Sequence, residues 1–368
     1  MNHPSRTPRT LLLALFTSIA LATLAYAQAK ISNPKPKESF KTVNRPGSVD
    51  LATEYDLSNL AVPKDQIHTL LPRDAIPALT DPELIALDAA TYLNPDDRII
   101  DVTITNNGTT QSVAVPLKIL NFHEVANLTI AGLPIAATYC PLCDSVTVVN
   151  RTVKITPTDP LQNPQQDQKQ DQQQDAHEEV LEFGVSGALY NSNVLMYDQT
   201  YKALWSQIGL KAISGPLAGT QLELLPVKII PWSQYQKDHQ ADQSKPKVIS
   251  INTGHDRPYD GNPYQSYFEN QDYIMVPVAN TGDALPKKTL GLGIKFTTEN
   301  LDESFFVPTS AITKRFVINT SLGQVIAVPT KAGVQVVSAP QHVQTLQSFY
   351  YAYTAFHPDT KVLTESAE

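Results

Sequence analysis

Leu133-Pro134-Ile135-Ala136-Ala137-Thr138-Tyr139-Cys140-Pro141-Leu142-Cys143-Asp144-Ser145-Val146-Thr147-Val148-Val149 carries the chain's only two cysteines between two apolar, β-rich runs. Short apolar runs bounded by turn residues read as strands. The thiols are therefore expected on a tight turn between strands and not on a helix. A Cys-x-x-Cys pair has the spacing to make and break a disulfide, or to hold a soft metal ion through two thiolates.

Outward from this stretch, the same texture recurs. Ile99 to Ile104 and Gln111 to Pro116 form a predicted hairpin around Asn106-Asn107-Gly108, a strong turn signal. Leu117 to Val125 reads as a short helix or a strand end, and periodicity does not decide between them. Thr80-Asp81-Pro82-Glu83 followed by Leu84, Ile85 and Leu87 reads as a capped short helix. On the C-terminal side, strands are expected at Phe183 to Gly187, Leu195 to Asp198, Val248 to Asn252, Phe305 to Pro308, Arg315 to Asn319 and Val334 to Val337. Pro231-Trp232 begins a short helix, and Phe349-Tyr350-Tyr351-Ala352-Tyr353 is aromatic enough for a buried closing element. With 28 prolines and 42% hydrophobic residues, the chain favours strands and turns over long helices. The expected fold is mostly β (a β-rich α+β class), one large domain of antiparallel strands with a few short helices.

Three segments read differently. Residues 1–27 have the form of a signal peptide, with Arg6 and Arg9, an apolar core from Leu11 to Leu24, and Ala25-Tyr26-Ala27 as a small-x-small exit. That core is short for a span of ~20 residues, so the mature protein is expected to be periplasmic or secreted, with no membrane span. Residues 28–70 read as a polar linker or arm, and 71–363 as the domain. Within it, the glutamine-rich stretch 157–179 has no large apolar residue after Leu161 and reads as a disordered, solvated insertion at a hairpin tip. Of the chain's 28 basic residues, Arg6 and Arg9 leave with the leader, so 26 face 36 acidic ones, a balance of −10. That excludes a general nucleic-acid binder, which needs a basic face for phosphates.

Several separated motifs, taken together, resemble one bacterial family, DUF3179. They are Pro116 to Glu124, Thr138 to Cys143, Phe183 to Gly187 with Leu189 to Asn193, Leu204 to Gln207, Gly215 to Thr220, Thr253-Gly254 with Pro263-Tyr264, and Ala355 to Thr360. The resemblance covers roughly residues 71–363 and implies a single domain. It brings no activity with it. Two departures stand out: the family has a glycine or small residue where this chain has Asp144, and a short turn where the glutamine-rich insertion sits. Asp144 is expected to raise the thiol pKa values by its charge.

Metal coordination is the leading expectation for the pair. Cys140 and Cys143 would be ligands, with His123 as third and His255, His357 or a carboxylate as further possibilities. Two thiolates and an imidazole suit copper(I) or zinc(II). Thiol–disulfide exchange is an alternative, weakened because no activating helix follows the pair. A static Cys140–Cys143 disulfide in a non-catalytic envelope or binding protein is another, although so small a loop adds little stability. Glu124, Ser186, Tyr190, Asn191, Trp205, Gln207 and Arg257 are pocket candidates. Gly184-Val185-Ser186-Gly187 lacks the spacing of a nucleophile elbow, so the plainer reading of Ser186 is a turn residue. Trp205 reads as core before ligand platform, and Arg257 as a surface ion pair before an anion contact. No residue set identifies a reaction, and no partner is named.

Overall fold

The computed structural model describes residues 50–155, 177–242, 244–298 and 301–367. The proposed leader and the first part of the arm lie outside the described residues, as does most of the glutamine-rich insertion. The rest forms sheets arranged as a single propeller-like domain, with 43% strand against 14% helix. The mostly β expectation therefore holds.

The opening stretch forms two strands, Leu133–Cys140 and Ser145–Asn150, paired antiparallel up to Cys140 opposite Ser145. Val125–Ile130 and Leu79–Thr80 complete their sheet. These strands bury nearly every residue on both faces, which is why the sequence shows continuous apolar runs instead of alternation. A second sheet contains Ile67–Thr69, Phe183–Tyr190, Asn193–Asp198, Leu204–Ser206 and Lys211–Ala212. A third contains Leu84–Ala86, Arg98–Asn106, Thr109–Pro116, Lys228–Pro231 and Lys247–Ile249. The remaining larger sheets are Leu290–Thr298 with Leu301–Pro308, Gln344–Phe349 and Lys361–Val362, and the three-stranded Phe316–Thr320, Gly323–Thr330 and Gly333–Ser338. The helices are short: α1 (Leu51–Glu54), α2 (Leu117–His123), α3 (Trp232–His239), α4 (Gln265–Glu269) and α5 (Tyr350–Phe356). No helix among the described residues is long and apolar enough to cross a membrane.

The predicted hairpin is present, with Asn107 and Gly108 both at positive φ between Asn106 and Thr109. That is the geometry a two-residue turn needs to match strand twist. Leu117 to His123 resolves as helix, and the aromatic tail is the buried α5. Strands Thr152–Ile155 and His177–Val180 pair antiparallel on either side of the insertion, as a hairpin tip requires.

Two readings need correction. Thr80 to Leu87 is not a capped helix: Asp81 adopts φ +46, and Leu84–Ala86 pairs with Lys247–Ile249 before one 3-10 turn. Strand pairing overrides a local cap signal there. The arm also does not extend to residue 70. Leu51, Tyr55 and Ile67 are buried with Leu195, Tyr197 and Leu204, so residues from 50 onward pack into the domain.

Candidate functional site

Cys140-Pro141-Leu142-Cys143 makes a tight turn in which the Cys143 amide donates to the Cys140 carbonyl at 3.1 Å. Proline in the second position pre-sets its φ for such a turn. Asp144 then reverses the chain at φ +44. This left-handed conformation favours glycine, with Asp and Asn the usual tolerated substitutes. It accounts physically for a glycine or small residue at that position. The Asp144 carboxylate faces Arg98, with Nη1 at 2.8 Å, and accepts from the Tyr139 hydroxyl at 2.9 Å.

Both cysteines are buried and unbonded, and the pair lies 3.7 Å apart. No disulfide joins them. The Cys143 thiol donates to the Ser192 carbonyl at 3.2 Å. Burial pushes the Cys140 thiol well above its ordinary pKa, and its hydrogen bond with Cys143 adds to this. The Val194 and Cys143 amides act in the opposite direction. The thiol is raised as expected, but the cause is burial and its sister thiol, because Asp144 is engaged by Arg98. Ser192 and Asn191 both take positive φ in the two-residue turn joining Phe183–Tyr190 to Asn193–Asp198. The wholly buried Ser192 Oγ has no hydrogen-bond partner.

A carboxylic acid and three phenols surround the pair. Glu124, at φ +56, ends α2, and its side chain is buried. Burial, then the proximity of Cys140, raises its pKa well above the usual carboxylate range, opposed by the Tyr264 hydroxyl donating at 3.3 Å. The Tyr351 hydroxyl donates to the Leu142 carbonyl at 2.9 Å and stands 3.8 Å from Cys143 Sγ; the Tyr267 hydroxyl is 3.1 Å from the Tyr351 hydroxyl. Burial raises all three tyrosine pKa values. Tyr267 and Tyr351 were not singled out as site residues. The available signal was chemical: a phenol in a buried aromatic run needs a polar partner.

His123 does not join the thiols. Its Nδ1 faces the Pro77 carbonyl at 2.7 Å, so that nitrogen carries the proton, and Nε2 accepts from the Tyr259 hydroxyl at 2.6 Å. Both nitrogens are occupied, and burial lowers the ring's pKa to about 4. Among the described residues, no group of three or more His, Cys, Asp or Glu side chains is placed to hold a metal ion. The expected Cys140–Cys143–His123 ligand set is thus not assembled. His255 lies beside the His123 ring at 5.3 Å between centroids, and His357 is found elsewhere in the domain, beside Tyr353.

The pocket candidates separate by function in the fold. Gln207 is the centre of a closed buried network: its Oε1 accepts from Ser145 Oγ and Asn193 Nδ2, each at 2.7 Å, and its Nε2 donates to Thr138 Oγ1 and the Ser145 carbonyl. It braces the strand that leaves the cysteine turn. Trp205 is fully buried and donates to Asp198 at 2.9 Å. Ser186 sits at a strand irregularity and donates to the Leu195 carbonyl at 2.6 Å, a backbone-holding role. Asn191 bonds the Ala355 carbonyl and the Ala279 amide. Tyr190 stacks edge-on against Phe356, and Arg257 is exposed beside Tyr259. Of the candidates, Glu124 is the one whose charge is felt at Cys140, and Trp205 shares the core cluster of both cysteines.

Neither the curated proteins nor the solved structures contain a significant match to the chain. One family model, Protein of unknown function (DUF3179), matches residues 73–343 and so takes in the cysteine turn, Glu124, the Gln207 network and Tyr264. Matched over most of its length, the chain belongs to the DUF3179 family.

Proposed function

We propose that this protein holds a soft, thiophilic metal ion, copper(I) before zinc(II), on the paired sulfurs of Cys140 and Cys143, and that export through residues 1–27 delivers it to an extracytoplasmic compartment. The observation that carries this reading is the pair itself: two unbonded sulfurs 3.7 Å apart on one turn, where burial raises the Cys140 thiol and two backbone amides offset part of that rise. Amide donors favour the thiolate, the form that binds metal. Zinc sites take three or four protein ligands, whereas thiolates select copper(I). With His123 engaged elsewhere, a two-thiolate set suits copper. Binding a metal ion displaces the thiol protons, so it is expected to strengthen as pH rises.

A second reading, a dithiol–disulfide couple, draws on the same 3.7 Å separation. In it, two thiols lose two protons and two electrons to an acceptor. The burial of both sulfurs counts against exchange with another protein's thiol.

The test is anaerobic competition between the purified mature chain and a chromogenic copper(I) chelator. The expected result is one copper withdrawn per chain by the wild type and by His123→Asn, and none by Cys140→Ser or Cys143→Ser. Two titratable thiols with no copper withdrawn would overturn the metal reading. A chain two hydrogens lighter with no titratable thiol would support the disulfide couple instead. N-terminal sequencing of the protein recovered outside the cytoplasm tests the leader.

A further inference from the structure

Between Lys247–Ile249 and Leu290–Thr298 the chain leaves the sheets, and the short α4 is its one regular element there. At the near end the Ser250 amide still donates to the Glu83 carbonyl. At the far end the Lys287 and Thr289 carbonyls accept from Tyr351 and Tyr350. Between these anchors, residues 251–286 make no backbone–backbone hydrogen bond to the rest of the domain among the described residues. Connections longer than about 15 residues without strand or helix are uncommon in compact domains, and ordered ones are usually functional.

Side chains hold this strap, and their partners are the groups around the dithiol. Tyr259 gives its hydroxyl to His123, and Tyr264 gives its own to Glu124, at the end of α2. The Tyr267 hydroxyl meets that of Tyr351, and the Phe268 ring lies edge-on to Phe349, 5.9 Å between centroids. Tyr351 and Phe349 are in turn the residues that bond the Leu142 and Cys143 carbonyls. Tyr267 and Val276 share the core cluster of both cysteines. Behind the strap, the buried Lys288 ammonium donates to the Tyr267 and Asn270 carbonyls and stands 3.3 Å over the Tyr267 ring, a cation–π clasp. The Ala279 amide donates to Asn191, the neighbour of Ser192, whose carbonyl takes the Cys143 thiol. Gly282, at φ +63, passes so close to Tyr350 that a Cβ would lie 2.5 Å from its hydroxyl. Contacts of this kind, with no ladder behind them, can open at less than the cost of global unfolding.

We infer that residues 251–286 are a strap that gates the buried sulfurs. Closed, it pins Glu124, Phe349 and Tyr351 around the cysteine turn. Open, it frees Phe349 and Tyr351 to lift and admits reagents to Cys140 and Cys143. The inference rests on the dithiol being the working centre and not on which job it does, because a metal ion and an oxidant both need the sulfurs uncovered. It gives the Thr253-Gly254 and Pro263-Tyr264 motifs a role that the dithiol alone leaves unassigned: Thr253 Oγ1 lies 2.5 Å from the Tyr259 hydroxyl and fixes one latch, and Tyr264 is another.

Alkylation of the reduced, metal-free protein by iodoacetamide, followed by intact mass across a urea series, tests the strap. Wild-type labelling is expected to be slow and nearly independent of urea below the unfolding transition, the mark of an opening that exposes little surface. Lys288→Met removes the clasp, and Gly282→Ala drives a methyl group against Tyr350. Each should speed labelling about tenfold while moving the unfolding midpoint little. Val325→Ala, in the core of the three-stranded sheet, is the control: it lowers global stability and should leave labelling at low urea unchanged. Labelling as fast as in the unfolded chain, a urea slope equal to that of global unfolding, strap variants that leave the rate unmoved, or Val325→Ala speeding it as much as they do would overturn the proposal. Where a strap variant fails to fold, the wild-type urea slope decides alone. Gated labelling without copper withdrawal sinks the metal reading and leaves the strap standing; copper withdrawal with ungated labelling does the reverse.

Discussion

Two buried glutamines, Gln207 and Gln347, meet the same burial in opposite ways. Gln207 makes four hydrogen bonds within the protein, bracing Ser145, Asn193 and Thr138 beside the cysteine turn. Gln347, also buried, uses its Oε1 on the Val334 amide and leaves its Nε2 without a partner among the described residues. A closed network fixes one geometry and resists change, while a buried donor left unpaired carries its desolvation cost without return. The difference teaches that burial alone does not set the worth of a polar side chain; the completeness of its hydrogen bonding does.

The sharpest way to break this comparison is to replace one glutamine in each region. Gln207→Leu strands Ser145, Asn193 and Thr138, and should cost about 3 kcal/mol in chemical denaturation. Gln347→Leu loses only the acceptor for the Val334 amide, because its Nε2 is already unpaired, and should cost about 1 kcal/mol. Equal losses would erase the distinction.

A smaller effect probes the turn itself. Asp144→Ala and Asp144→Gly both remove the Arg98 and Tyr139 contacts. They differ only in tolerance of φ +44, so the glycine variant should be more stable by about 1 kcal/mol. If the two unfold at the same denaturant concentration, the left-handed turn is not what selects the residue here.

The last effect is a change of slope. Folded His123 titrates at about 4, against 6.5 for an ordinary histidine. Between those values the unfolded chain binds more protons, so stability should fall as pH drops from 6.5 towards 4. His123→Asn should flatten part of that decline without affecting copper withdrawal. An unchanged pH profile would count against the buried neutral ring.

Much of this was legible in the residues. Continuous Val, Ile and Ala runs around Cys140 and Cys143 gave the paired strands, Asn107-Gly108 gave a hairpin, and the dense tyrosines after Phe349 gave a buried closing helix. The partners of α2 were not legible, because His123 and Glu124 are adjacent in sequence yet project to different neighbours. The positive φ of Glu124 turns the chain there, leaving the histidine with Pro77 and Tyr259 and the acid with Tyr264. A one-dimensional reading places both beside the thiols; the helix ending sends only one.

The cysteine turn is completed from far along the chain. The Phe349 amide donates to the Cys143 carbonyl at 2.7 Å, and Tyr351, 209 positions beyond Leu142, bonds that residue's carbonyl. The hairpin bearing the sulfurs is local and can form early, but its covering arrives only when residues 349–351 have been synthesised and docked. The sulfurs thus pass through a period of open access during chain maturation that ends when the tail is in place. Metal uptake by the finished chain is then expected to be slow, set by how often residues 349–351 lift away, so the copper competition should reach its end point over an opening-limited time course.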